Sequence, residues 1–223
     1  TCALPISSIH KVILMNADVL SHKVSPRDRN SKPLIGDAAS ITIVEKSNDD
    51  STIYANIKMD GTGAMALNIP AGGFRMPCTE ETAKMQEDAN GNFRSLNNLV
   101  MKGDDVFNFV QREVPPMIEH LMEQANTTKD DIDWFMFHQP NKFMLHKLAD
   151  KIGVNRDKMP ANIVENFGNA SGVTVTTNIS YNLGEEVVNG SRKVCVAGFG
   201  VGLTWSSLIL ELNKLSFNKI IEF

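Results

Sequence analysis

Apolar and polar positions along the chain fall into short runs with two different periods. "KVILMNADVL" (11–20) is an apolar run of strand length, broken by Asn16 and Asp18. "SHKVSPRDRNSKPLIGD" follows as a loop rich in Pro, Asp, Asn and Ser. "ASITIVEKS" (39–47) sets Ile41 and Ile43 against Thr42 and Val44, which predicts a strand. "SNDD" then predicts a turn and "STIYANIKMDG" a second strand, so the two are expected to pair as a hairpin. Residues 60–99 are rich in Gly, Pro, Asn and Met without a clear period and predict a long irregular excursion.

From 104 to 126 apolar residues recur at Val106, Phe107, Val110, Val114, Ile118 and Leu121, a helical spacing. Pro115 and Pro116 are expected to kink or split that helix. "DWFMF" predicts a strand, and 141–152 a helix with Met144, Leu145, Leu148 and Ile152 on one face. "NIVENFGNASG" (162–172) predicts a short strand into a Gly/Asn turn. For 172–190 Val and Thr favour a strand, while the length and closing "NG" suit a helix. "KVCVAGFGVGLTWSSLILEL" (193–212) predicts two strands around a glycine-rich turn. Strands alternating with helices give an α/β class with a mixed sheet.

Composition narrows the class. The 223 residues suit one large domain or two small ones, and 42% hydrophobic content is enough for a sizeable core. A net charge of −4 offers no global argument for nucleic-acid binding. The apolar stretches fall short of the roughly 18 residues of a membrane span. Cys2, Cys78 and Cys195 are odd in number and far apart, which fits a reducing, cytoplasmic setting rather than a disulfide framework. The N-terminus lacks the basic region of a signal peptide. "TCALPISS" has no initiator Met and resembles a translated sequencing-adapter remnant, or else the start of a shortened chain. Residues 1–8 are therefore expected to be an artefactual or disordered leader on an N-terminally truncated protein.

Three polar features follow apolar runs: His138 after "WFMF", Asn169 after "NIVENFG", and "GFGVG" (198–202) after "KVCVA". Sites in open α/β folds gather beyond the carboxyl ends of strands. Each feature alone is also what a structural histidine or an ordinary turn looks like. "GFGVG" lacks the G-x-G-x-x-G spacing of a dinucleotide loop. Order and spacing together are more specific, with His138 and Asn169 31 positions apart and "GFGVGLTW" near the end.

This set resembles the C-terminal half of β-ketoacyl-acyl-carrier-protein synthase III, a thiolase-fold condensing enzyme. His138, Gln139, Pro140 and Asn141 match the family's H-Q-x-N motif. Gly168, Asn169, Ala170 and Ser171 match its G-N-[TS]-S/G motif, and Phe199 to Trp205 its closing F-G-x-G-x-T-W motif. Upstream, "NADVLSHKVSPRDRNSKPLIGDAAS" is similar to the family's D-x-L … D-R … G-D-x-A stretch, and "MKGDDVFNF" to its M-x-G-x-x-V-F segment. The resemblance covers nearly all of 11–212. It implies a five-layered αβαβα thiolase-like fold in the intact enzyme. Here 9–100 would be the end of the first half plus the connecting excursion, 101–213 the second half, and 214–223 a tail.

The resemblance also implies a chemistry. A cysteine thiolate takes an acyl group from acyl-CoA. Malonyl-acyl-carrier protein then loses CO2, and its enolate attacks the acyl-cysteine. His138 and Asn169 match the groups that hold the developing oxyanion. Val201 matches a backbone oxyanion-hole position, often glycine in the family, and Gly200 and Asn141 match substrate and pantetheine contacts. Lys142, Lys147 and Lys151 form a basic patch that would dock an acidic carrier protein; the plain alternative is a solvated helix face. Phe143 stands where the family often has a basic residue. No metal and no cofactor beyond the two thioester substrates is implied, and neither nucleic acid nor membrane is an expected partner. The intact enzyme would be a homodimer. The family's nucleophile lies about 20 residues before the segment matching Lys11, and none of the three cysteines matches it; Cys195 is expected to be buried packing. The alternatives are a sister acyltransferase or condensing enzyme on the same fold, and a non-catalytic partner subunit.

Overall fold

Residues 9–46 and 51–222 are described by a computed structural model. The expected leader with Cys2, and the "SNDD" turn at 47–50, lie outside the described residues. Strand β1 (Lys11–Asp18) pairs antiparallel with β2 (Ala38–Glu45) along its whole length, from Lys11↔Glu45 to Asp18↔Ala38. Strand β3 (Tyr54–Met59) belongs to a second sheet with β4 (Trp134–Phe137), β5 (Ser191–Gly200) and β6 (Thr204–Asn213), in the order β3-β6-β5-β4. β4 and β5 are parallel and the other pairs antiparallel. The expected hairpin between 39–47 and 51–61 does not form. β2 is paired by β1, and β3 is paired by β6, from Tyr54↔Ile209 to Met59↔Thr204. Local alternation identifies a strand but not a partner some 150 positions away.

Helices cover both faces of the four-stranded sheet. Helix α1 (Gly103–Gln124) and helix α2 (Lys142–Ile152) bury Val110, Val114, Ile118, Leu121, Leu145 and Leu148 against Phe135, Phe137 and Cys195. On the other face Met136 and Val194 meet Leu183 of α4 (Val173–Leu183) and Val187 of α5 (Glu186–Asn189). The far side of α4 packs on β1 and β2. The result is four layers: helix, sheet, helix, sheet. The outer face of the last layer pairs Ile13 with Ile43 and Met15 with Ile41, all four exposed.

Pro115 and Pro116 do not split α1, which runs unbroken from Gly103 to Gln124. A proline at 115 removes the N–H that would reach the Gln111 carbonyl. Lys151 Nζ, from α2, donates to that carbonyl at 2.6 Å instead. Pro115 also sits on the buried side of the helix, so packing offsets the missing bond. The expected strand at 162–167 is a short helix, α3 (Ile163–Phe167). Ile163 and Phe167 stand four apart on one helical face, with Ile163 buried, and Gly168 ends the turn. The ambiguous stretch 172–190 resolves as α4 and α5. Burial of Val173, Thr174 and Leu183 overrides the strand preference of Val and Thr.

The excursion 60–99 is irregular, with two-residue ladders at 67–68 with 100–101 and 86–87 with 93–94. It is tied to the loop before β2. Arg94 Nε donates to Asp28 Oδ2 at 2.7 Å, and its Nη1 lies 2.9 Å from Asp88. Arg27 stacks 3.5 Å above the Phe93 ring. Burial pushes the Asp28 carboxyl up, but hydrogen bonds from Arg94, Ser31 and Asn30 outweigh it and hold the pKa below the ordinary carboxylate value. Removing one partner of a buried ion pair leaves an uncompensated charge, at a cost of about 3–5 kcal/mol in the general case. Asp88 remains beside Arg94, so Asp28→Asn is expected to cost less, about 2 kcal/mol, read as a lower urea midpoint with faster proteolysis within 60–99. An unchanged midpoint would show that the Asp28–Arg94 pair does not hold the excursion.

Candidate active site

His138 follows directly from the last residue of β4. The parallel register sets Phe137 opposite Ala197, and the His138 N–H continues the ladder by donating to the Ala197 carbonyl at 2.8 Å. The imidazole therefore stands beside the end of β5, edge-on to Phe199 with ring centroids 5.4 Å apart. Its Nδ1 lies 2.7 Å from Thr174 Oγ1 on the first turn of α4. Nε2 has no hydrogen-bond partner among the described residues, and the residue as a whole is half-buried. Burial disfavours the imidazolium, partly offset by the Ser171 carbonyl, and lowers the pKa to about 4. The ring is neutral at pH 7.

Gln139 is fully buried and acts as a clamp. Its amide donates to the carbonyls of Phe137 (3.0 Å) and Pro160 (2.9 Å), and its backbone N–H donates to Thr174 Oγ1 (3.2 Å). Pinned by these bonds, His138 has little freedom to leave its position.

Asn169 does not follow a strand, as expected, but the helix α3 and Gly168. Two backbone bonds hold it: its N–H donates to Leu34 O (2.6 Å), and its carbonyl accepts from Gly36 N–H (3.2 Å). The approach is close enough to need glycine on both sides. A Cβ at Gly36 would lie 2.0 Å from the Phe167 carbonyl oxygen, and one at Gly168, where φ is +74°, 2.7 Å from Gly36 Cα. Asn169 Oδ1 accepts from Ser171 N–H at 2.9 Å, so its Nδ2 is left as a donor without a partner among the described residues. Ser171 O accepts from Thr174 Oγ1, which contacts His138. Asn169 and His138 are thus joined through Ser171 and Thr174.

The glycine-rich turn lies at the end of β5, the same end of the sheet as His138. Leu203 exchanges two 2.8 Å backbone bonds with Asp60, which fixes the turn. Gly200 closes β5, and Val201 follows with its side chain exposed. Asn141 caps α2: its Oδ1 accepts from Met144 N–H at 2.8 Å, leaving Nδ2 for another acceptor. Asn141 also lines a groove of about 400 Å³ with Met101, Asp104, Phe107, Phe143 and Met144. Phe143 stacks on Phe107 at the groove (5.8 Å). Of the basic patch, Lys151 is committed to Gln111 O, Lys142 pairs with Glu165 at 3.3 Å, and Lys147 lies 5.8 Å from the Phe143 ring.

A family model for 3-oxoacyl-[acyl-carrier-protein] synthase III matches residues 4–66, and a model for that family's C-terminal part matches 122–212. The chain belongs to the 3-oxoacyl-[acyl-carrier-protein] synthase III family. The Streptococcus uberis β-ketoacyl-[acyl-carrier-protein] synthase III is 32% identical over 92% of this chain and 60% of its own length. Its Synechocystis counterpart is 29% identical over 90% of this chain and 58% of its own. A solved 3-oxoacyl-(acyl-carrier protein) synthase from Burkholderia xenovorans LB400 is 34% identical with a TM-score of 0.86, covering 96% of this chain and 59% of that one. The chain spans about three fifths of the length of the curated relatives it matches. The four layers are those of the thiolase-like α/β fold expected from the sequence. No helix among the described residues is long and apolar enough to cross a membrane.

Within this synthase III chain, Cys195 is fully buried in β5 and burial pushes its thiol pKa far up, so it is no nucleophile. Cys78 is exposed beside Gly72 in the excursion. The sequence alone assigns no role to Thr174 or to the pair Gly36–Gly168. Thr174 is one of several threonines in one helix, and nothing in the local pattern distinguishes it.

Two outcomes follow from this geometry. A histidine whose folded pKa is depressed binds fewer protons than the unfolded chain between the two values. Stability therefore falls as pH drops from the ordinary value near 6.5 toward about 4. Wild-type chain should lose about 1–2 kcal/mol more than His138→Gln between pH 7 and 5, by urea unfolding; parallel losses would mean that the ring is not held neutral. Gly36→Ala forces the Phe167 carbonyl aside, so we expect about 1–3 kcal/mol of destabilisation and a shifted Asn169 side-chain amide resonance. An unmoved resonance would refute the clamp.

Proposed function

We propose that the protein carrying this chain is a 3-oxoacyl-[acyl-carrier-protein] synthase III that condenses an acyl-CoA primer with malonyl-acyl-carrier protein, and that this chain supplies its decarboxylation centre. The observation that supports this is the joined pair: a neutral His138 with Nε2 open, and Asn169 with Oδ1 committed so that Nδ2 can only donate. Loss of CO2 from a malonyl thioester moves an electron pair onto the thioester carbon and oxygen. Asn169 Nδ2–H and a proton on His138 Nε2 would hold that oxygen. Both groups are uncharged and their heavy atoms are already in place, so none has to move as the negative charge appears. The enolate carbon then attacks an acyl-cysteine, and the backbone N–H of Val201 would help hold the second oxyanion, formed on the acyl carbonyl.

Asn141, with a free Nδ2 beside the 400 Å³ groove, is the proposed pantetheine contact. Gly200, with open space where a side chain would stand, would let the thioester pass close to the backbone. Acyl carrier protein would dock near Lys142 and Lys147. Both are exposed, and the single Lys142–Glu165 pair is of the exposed kind that exchanges at little cost. Lys151 keeps its place in the docking patch only if it leaves the Gln111 carbonyl. The reaction draws on the two thioesters and protein groups, with no metal or further cofactor. The apolar outer face of β1 and β2 supports a homodimeric parent, and the chain's wide-set cysteines a cytoplasmic one.

Decarboxylation is separable from condensation, because an enolate without an acyl acceptor is protonated by water. This chain is expected to release CO2 from malonyl-acyl-carrier protein, yet to make no 3-oxoacyl product from acetyl-CoA, because Cys195 is buried and no cysteine matches the family's nucleophile. His138→Ala and Asn169→Ala should each lower CO2 release about 10²–10³-fold. Equal release by wild type and both variants would sink the proposal, and product formed by the chain alone would place a nucleophile within it.

A further inference from the structure

A donor role for His138 needs a proton on Nε2, and the hydrogen bonds around the ring decide where that proton rests. Thr174 Oγ1 lies 2.7 Å from His138 Nδ1, 2.8 Å from Ser171 O and 3.2 Å from the Gln139 N–H. A threonine hydroxyl has one proton and two lone pairs. The Gln139 N–H only donates, so it occupies one lone pair. The Ser171 carbonyl only accepts, so it claims the hydroxyl proton. One lone pair then remains for Nδ1, which must donate to it. All three contacts are bonded in this arrangement, and Nε2 is bare.

The opposite arrangement turns the hydroxyl proton onto Nδ1 and puts the ring proton on Nε2. It forfeits one bond, since one Oγ1 lone pair goes unused and Ser171 O keeps only the Thr174 N–H, at 3.2 Å. No heavy atom moves between the two, and the ring carries one N–H in each. An oxyanion at Nε2 more than offsets the forfeited bond, because a hydrogen bond to a charged acceptor is roughly twice as strong as a neutral one. Among the described residues Thr174 Oγ1 is the hydroxyl hydrogen-bonded to the ring. Thr176 and Thr177 on the same helix both donate to Val173 O.

We propose that Thr174 is a positioning residue that holds resting His138 as the Nδ1–H tautomer with Nε2 bare, and that reversal of its hydroxyl supports the donor tautomer once an oxyanion arrives. The second clause rests on the decarboxylation centre proposed above; the first does not.

The test uses the whole chain labelled with 15N-histidine, with His138 assigned by its loss in His138→Gln. Long-range 1H–15N spectra at pH 7 should show Nδ1 protonated and Nε2 unprotonated in wild type and in Thr174→Ser. Thr174→Val, which neither donates nor accepts, should raise the Nε2–H share at least two-fold. A resting wild type with Nε2–H, or an unchanged share in Thr174→Val, would overturn the first clause. If the valine variant does not fold, the wild-type and serine spectra still decide it. For the second clause, Thr174→Ser should keep CO2 release from malonyl-acyl-carrier protein, and Thr174→Val should lose about ten-fold in kcat with KM little changed. Full release by Thr174→Val overturns that clause. No release by any form, wild type included, overturns the second clause and the decarboxylation reading, and leaves the first to the spectra.

Discussion

The site depends on one backbone crossing, where Gly36 and Gly168 pass with no room for a side chain. A Cβ on either would fall within 3 Å of backbone atoms. The crossing allows the segment 34–36 to bond Asn169 on both sides, at its N–H and its carbonyl. These are residues of two different layers. The loop before β2 thereby fixes the residue that follows α3, and α4, packed on β1 and β2, carries Thr174 to His138. If the crossing opened, Asn169 would lose its position while every helix and strand could persist.

The remaining interactions follow the same economy, in which a group released by one constraint is taken by another. Pro115 leaves the Gln111 carbonyl without its helical donor, and Lys151 supplies one from α2. Asp28 sits almost fully buried, and Arg94 with Ser31 keeps it ionised while anchoring an excursion that has little core of its own. Gln139 fills its buried space with bonds to Phe137 and Pro160. These bonds are spent on position, not on exposed charge pairs, which add little. They leave Nε2 of His138 and Nδ2 of Asn169 as groups with no internal duty. Such groups are where chemistry can be hosted.

Much of this was legible from the residues. The apolar faces of the helices expected over 104–126 and 141–152, the strand before His138 and the hairpin around the glycine turn follow from period and turn chemistry, which act over a few residues. The H-Q-x-N, G-N-A-S and F-G-V-G-L-T-W stretches identified the family because order and spacing carry more information than any one of them. The errors have a shared cause. The strand expected before Gly168 is helix, the prolines do not split α1, and β2 and β3 do not pair, because burial and distant partners overrode local preference in each case.

The sequence by itself determined most element types, the α/β class, and the His138 and Asn169 candidates, since these rest on periodicity and residue chemistry along the chain. Only the tertiary structure decided which groups meet. It put Thr174 on Nδ1, Gly36 against Gly168, and the Lys151 ammonium on a carbonyl that a proline had freed. Those contacts join residues from 36 to 132 positions apart, and such a contact exists only once the intervening chain has packed.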